Sequence, residues 1–373
     1  MISLRVFSYC YELSDRKLSI PLQRSIVLHL EIESKGMDKE KIEALGRMIE
    51  AAESIVLVGH FNPDGDAIGS TVGVYRYLEA MGKKACIVYP NEYPLAMNCF
   101  LKGTEHYIVS NGEKAVRKCL DEADLLICLD FNRYSRTCEQ IEGLLELMEC
   151  GKIIIDHHED PTDIGLLFCE PAASSTCELV YKILSAYKPE HITKDCATAL
   201  YAGICTDTGS FSHSCSRKDV FLVAGELVER GVDVQWVKRQ VMDLSSENRL
   251  RLLGYMLKEK LKVFPEEGAA YMAVSKKELR MFDFKKGDLE GVVNYALKID
   301  GIRFAALISE RRDKIRLSFR SLSPKVDVNK FAARYWEGGG HVQAAGGTSS
   351  LGLELTCRIF EDQIKKRLYE RCG

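Results

Sequence analysis

Acids and histidines gather at four places in this sequence where an apolar run stops. "VGHFNPDGDAIGS" carries His60, Asp64 and Asp66, and "LLICLDFN" runs onto Asp130. "KIIIDHHED" presents Asp156, His157 and His158, and "LYAGICTDTGSF" runs onto Asp207. Each alone is ordinary, because an aspartate after a strand commonly caps a helix or turns the chain. A lone histidine, likewise, is more often a hydrogen-bonded structural group than a ligand. Together they are not ordinary. Three of the eight histidines (His60, His157 and His158) lie in these stretches, and a fourth, His341, follows three glycines far downstream. The four carboxylate clusters are expected at one carboxyl edge of one sheet, where so many acids repel unless cations lie among them.

The chemistry such a cluster supports is narrow. Carboxylate and imidazole ligands without a thiolate suit Mn²⁺, with Mg²⁺, Co²⁺, iron or zinc as other divalent choices, better than Ca²⁺. Two ions about 3.5–4 Å apart, sharing a carboxylate and a hydroxide, form a clamp for in-line attack at phosphorus, and they make that hydroxide available near neutral pH. They also neutralise phosphate oxygens, which a chain of net charge −3 does not do by itself.

The elements that must position these groups follow from periodicity. "MDKEKIEALGRMIEAAE" predicts a helix with Asp38 as N-cap and Ile42, Leu45, Met48 and Ile49 on one face. "SIVLVGH" predicts a buried strand. "DAIGSTVGVYRYLEAMG" predicts a helix closed by Gly82. "KACIVY", "DLLICLD" and "KIIIDHH" predict further strands. Three consecutive β-branched residues, Ile153 to Ile155, suit a strand covered on both faces. Apolar strands alternating with helices imply a doubly wound, mainly parallel α/β sheet whose ligands lie beyond the carboxyl ends of its strands. After a helical linker at 246–262, "AAYMAVS", "IRFAALISE" and "KIRLSFRS" predict a smaller α/β domain, the last two as a hairpin through Arg311 to Asp313. The expected organisation is an extension at 1–36, with Met37 as a plausible start, then domains at 37–245 and 263–373 around the linker.

Composition bounds the reading. With 373 residues, 46% hydrophobic and 28% charged, the chain has room for two cored domains. Its pI of about 6.3 argues against an electrostatic track for long nucleic acid. Of the 14 cysteines, Cys86, Cys128, Cys169, Cys196 and Cys205 sit in apolar runs as small hydrophobes, and no C-x-x-C pair occurs. A reduced, cytoplasmic setting is expected, with no membrane span.

His60-x3-Asp64-x-Asp66, Asp130, Asp156-His157-His158 and Asp207 resemble, in order, the four motifs of the DHH phosphoesterases, the RecJ-like family. "EGGGHVQAAGG", Glu337 to Gly347, is similar to the glycine-rich signature of the associated C-terminal domain. The two-domain layout resembles the stand-alone branch that cleaves short oligoribonucleotides and dephosphorylates 3′-phosphoadenosine 5′-phosphate. The resemblance implies one metal held by His60, Asp64 and Asp130, and a second by Asp66, Asp130, His157 and Asp207. His158 then contacts the scissile phosphate and Asp156 orients the histidines, with the active site in the interdomain cleft. It also implies substrate contacts from Arg320, Gly338, Gly339, Gly340 and His341. The glycines let backbone N–H groups approach a phosphate, and "HVQAAGG" is expected to start a short helix whose N-terminus favours an anion. A flexible turn is the plainer reading of three glycines. Two departures stand out: Glu337 where relatives often have a fourth glycine, and Ser212 where they commonly have arginine.

The expected function is therefore a Mn²⁺-dependent phosphoesterase on short RNA and nucleotide phosphates, with a homodimer left open. Phosphodiesterase action on cyclic or linear dinucleotides is the alternative. Pyrophosphatase or exopolyphosphatase action, and a non-catalytic nucleotide-binding module, rank lower.

Overall fold

Unbroken apolar runs form strands here because both of their faces are covered. The computed structural model describes residues 38–372 except 163, 286 and 313, so the expectations for 1–36 and Met37 lie outside the described residues. The chain divides into two units, one ending at Leu244 and the other starting at Ser245.

The first unit holds β1 (Ser54–Val58), β2 (Lys84–Tyr89), β3 (His106–Ile108), β4 (Leu125–Leu129), β5 (Gly151–Asp156) and β6 (Leu166–Cys169). All pair in parallel, in the order β3-β2-β1-β4-β5-β6. Helices α1 (Lys39–Ala51), α2 (Gly65–Ala80), α3 (Glu113–Asp121), α4 (Glu139–Leu147), α5 (Thr176–Tyr187), α6 (Lys194–Asp207) and α7 (Lys218–Glu229) accompany them. Asp38 caps α1 through the N–H groups of Glu40 and Lys41, and Gly82 closes α2 at φ 74°. The isoleucine run serves two cores: Ile153 and Ile155 pack with α1, α2, α5 and α6, while Ile154 packs with α3 and α4. Strand order reverses between β1 and β4, which opens a crevice beyond their carboxyl ends.

The second unit contains α8 (Glu247–Tyr255), β7 (Leu261–Phe264), β8 (Ala269–Val274), α9 (Lys276–Met281), α10 (Val292–Ala296), β9 (Phe304–Glu310), β10 (Ile315–Ser321), α11 (Val328–Tyr335), β11 (Gly339–His341), β12 (Ala344–Ser349) and α12 (Leu353–Lys365). Its sheet runs β11-β12-β10-β9-β8-β7, antiparallel except for β8–β9. The β9–β10 hairpin forms as expected. The stretch read as a linker does not stand apart, because Leu252 and Met256 are buried with Ala270, Met272 and Leu307, and β7 pairs with β8. "HVQAAGG" forms no helix. His341 ends β11 and Ala344 begins β12, whose pairing with β10 overrides the helix propensity of its alanines.

One face of this sheet is sealed by Phe331 of α11 with Phe360 and Ile364 of α12, against Ile315, Leu317, Phe319 and Ala345. Burial of the other face is concentrated on β8 and β9. Arg316, Ser318 and Arg320 on β10, with Ala344, Gly346 and Thr348 on β12, remain exposed or half-buried.

Of the cysteines expected to act as small hydrophobes, Cys86, Cys128, Cys196 and Cys205 are buried in the apolar cores, and Cys169 is half-buried. No helix among the described residues is long and apolar enough to cross a membrane.

Candidate metal centre

The ligand-type side chains arise from four short segments. His60 lies two residues beyond β1. Asp64 caps α2, its Oδ1 accepting the N–H of Asp66 at 3.0 Å and of Ala67 at 3.1 Å. Asp66 follows in the first turn of α2 and is fully buried. Asp130, directly after β4, adopts a left-handed φ of 66°. Its N–H donates to the Ile155 carbonyl at 3.0 Å, which anchors this unusual backbone to β5. Asp156 ends β5, so His157 and His158 leave at the same edge.

Asp207 reaches the site differently from the expectation. It is the last residue of helix α6, not the end of a strand. Helix packing carries it there: Gly203 of α6 lies so close to α2 that a β-carbon would stand 3.0 Å from Asp66 Oδ1 and collide with Cys177 Sγ.

The resulting geometry is dense. His60 Nε2 lies 3.3 Å from Asp130 Oδ2 and 3.8 Å from Asp64 Oδ1. His157 Nε2 lies 3.8 Å from Asp66 Oδ2, 3.7 Å from Asp130 Oδ1 and 3.5 Å from Asp207 Oδ2. Three sets each have ligand atoms within 4.8 Å of one another: His60, Asp64 and Asp130; Asp66, His157 and Asp207; Asp130, His157 and His158. Asp130 therefore stands between the other groups, one oxygen toward each side.

Outer partners aim these ligands. Nδ1 of His60 lies 2.9 Å from the Phe61 carbonyl, and Nδ1 of His157 lies 3.3 Å from that of Ala173, so both Nε2 atoms face the carboxylates. His158 Nδ1 is 2.7 Å from Asp156 Oδ1. Asn132 Nδ2 donates to the carbonyls of His158 and Glu159, tying the β4 loop to the histidine loop. Sequence reasoning missed Thr176. Its N–H donates to Asp66 Oδ2 at 2.6 Å, its hydroxyl to Asp130 Oδ1 at 2.9 Å, and the Cys177 N–H to Asp66 Oδ1 at 2.9 Å. The available signal was "SSTCE", a run of cap-type residues before a helix.

The electrostatics show what the cluster needs. Burial, then the charge of Asp130, pushes Asp66 up to about 7. Burial, then Asp66 and Asp64, holds Asp207 well above the carboxylate range. For His60, burial opposes protonation, but Asp130 and Asp64 outweigh it and push the ring up to about 11. Burial opposes ionisation of Asp130 too, yet His60 beside it holds the group below its ordinary value. Ionising all the acids together is costly, and divalent cations remove that cost. Oxygen and imidazole donors at this spacing fit such ions.

The residues expected to bind substrate lie in the second unit. Arg320 and His341 each pair with Ala344, so they stand in one row across β10, β12 and β11 on the incompletely covered face. Arg320 Nη1 donates to the Phe319 carbonyl at 2.9 Å, and burial pushes the guanidinium down. The glycines do not offer a free nest. The Gly338 N–H donates to the Ala332 carbonyl and the Gly340 N–H to Asn329 Oδ1. A β-carbon at Gly338 would collide with the Gly346 carbonyl, so close strand packing accounts for that glycine.

A doubly wound sheet with this donor set at its carboxyl edge defines a divalent-metal hydrolase of phosphoesters. The chain belongs to the DHH phosphoesterase family: the pattern of the DHH family, N-terminal domain, matches residues 54–204, and that of the DHHA1 domain matches 269–366. It is 30% identical over 334 residues to the bifunctional oligoribonuclease and PAP phosphatase NrnA of Thermus thermophilus, covering 89% of this chain and 93% of that one. It is 28% identical to the protein of the same name from Bacillus subtilis, covering 85% and 95%. An exopolyphosphatase-related protein from Bacteroides fragilis superposes with a TM-score of 0.86 at 33% identity, covering 90% of this chain and 99% of that one.

Proposed function

We propose that this protein hydrolyses very short oligoribonucleotides to 5′-mononucleotides and removes the 3′-phosphate of 3′-phosphoadenosine 5′-phosphate, using two divalent cations, Mn²⁺ foremost. The observation that carries the reading is the pair of ligand sets meeting at Asp130, in a chain that matches the Thermus protein nearly end to end. His60, Asp64 and Asp130 would hold one ion, and Asp66, Asp130, His157 and Asp207 the other. When bound, the ions supply Lewis acidity, neutralising the phosphate and lowering the pKa of water.

The remaining work falls to the protein's own groups. His158, held by Asp156 at Nδ1, presents Nε2 as a donor to charge developing on the phosphate. Asp156 fixes that tautomer and ring angle. Arg320 supplies positive charge to a substrate phosphate, with His341 in the same row across β12. Gly338 and Gly340 act by letting β11 lie close to β12.

The test is product release with Mn²⁺ on pApA, 3′-phosphoadenosine 5′-phosphate, a cyclic dinucleotide, a long RNA and pyrophosphate. Rapid AMP release from the first two, with slow attack on the long RNA, is the expected result. Turnover confined to the cyclic dinucleotide would reassign the protein to second-messenger degradation. Binding without turnover anywhere would overturn the enzymatic reading.

A further inference from the structure

The two halves of the centre are built differently. On one side, His60 is 8% exposed but the Asp64 side chain is 58% exposed, held only at Oδ1 by two N–H groups of its own helix. On the other, Asp66 is 1% exposed, His157 17% and Asp207 27%. Only that side is braced by the N-terminus of α5. Both Asp66 oxygens take backbone N–H groups, from Thr176 and Cys177. The Thr176 hydroxyl donates to Asp130 Oδ1, the oxygen facing His157, and not to Oδ2, which faces His60. Each braced oxygen keeps a lone pair for a cation.

The segment carrying Thr176 is itself clamped. Glu178 is buried, accepts the Ser174 N–H at 2.8 Å and the Lys182 ammonium at 2.5 Å, and lies one turn from the Ser175 cap. Thr176 is therefore fixed before any cation arrives. A carboxylate held at both oxygens loses little freedom on binding, whereas Asp64, held at Oδ1 alone and open to water, must still order its other oxygen and shed solvent.

We propose that the Asp66–His157–Asp207 half, with Asp130 Oδ1, is a preorganised high-affinity cation site, and that Thr176 is the positioning residue that makes it so. The His60–Asp64 half, with Asp130 Oδ2, is the weaker site and exchanges its ion more readily. The inference rests on the two-ion reading above and adds an order of filling to it.

Titration of Mn²⁺ into the chelator-stripped full chain tests it, with binding heat and the paramagnetic resonance of free Mn²⁺ read in parallel. Two steps of unequal affinity are expected. Thr176→Val, which keeps the shape and deletes the hydroxyl, should weaken the tighter step about 10–100-fold and leave the other within about threefold. Thr176→Ser should restore the tight step, and Asp64→Asn should weaken only the looser one. Two ions of equal affinity would overturn the proposal while leaving the two-ion reading intact, as would a tight step lost in Asp64→Asn or unchanged in Thr176→Val. One ion per chain would instead bring down the two-ion reading itself. Should Thr176→Val not fold, the wild-type isotherm and Asp64→Asn decide the matter.

Discussion

The first unit concentrates buried acids at a parallel sheet edge, whereas the second leaves part of an antiparallel sheet face sparsely covered with two arginines on it. In the first, nearly every functional group is held by another: Asp66 by Thr176 and Cys177, His158 by Asp156, Asp207 by close helix packing. In the second, Arg320 sits on a backbone ladder of β10 and β12, and its guanidinium donates to the carbonyl of Phe319. The contrast teaches where sensitivity resides. A buried ionisable cluster depends on every member, while a side chain on a ladder can be removed at small structural cost.

The sharpest way to break that comparison is Asp130→Asn, which removes the charge facing both ligand sets. It should lower kcat by about three orders of magnitude or more, read as AMP release from pApA with Mn²⁺. His158→Ala should cost about 10²-fold in kcat while Mn²⁺ affinity changes little, which separates charge stabilisation from ion holding. The pH dependence of ion binding comes next. In the metal-free protein Asp66 keeps its proton up to about 7 and His60 to about 11, so cations must displace protons. Mn²⁺ affinity should therefore rise from pH 6 to pH 8, by up to about tenfold per unit, in calorimetry. By the same sign, the Asp66 contribution to metal-free stability is full below its ordinary value of 3.8 and is lost as pH rises through about 7. The smallest effect belongs to the second unit. Arg320→Ala should raise KM about tenfold with kcat and melting temperature nearly unchanged. A collapse of kcat or of the fold there would erase the distinction between the units.

Much of the first unit was legible because its signals are local. The Asp38 cap, the Gly82 terminus and the apolar runs ending on Asp130 and Asp156 each declare themselves within a few residues. Asp207 was found as a ligand candidate but on the wrong element, since "ALYAGIC" reads equally as a buried strand or as a helix covered all round. Thr176 escaped notice because its role is set by two carboxylates, 110 and 46 residues away. The β11–β12 pair escaped too, since "AAGGTS" has little strand propensity and pairs only because β10 is there to receive it.

What the sequence by itself determined is the inventory: four ligand-bearing segments, the strands and helices that carry most of them, and a class of chemistry at phosphorus. Those follow from residue type and short-range periodicity, which tertiary contacts do not change. Only the folded chain decided which oxygen of Asp130 faces which histidine, which half of the centre is braced by α5, and that two of the three glycine amides are already bonded. These depend on distances between segments far apart in sequence, and no local pattern encodes such distances.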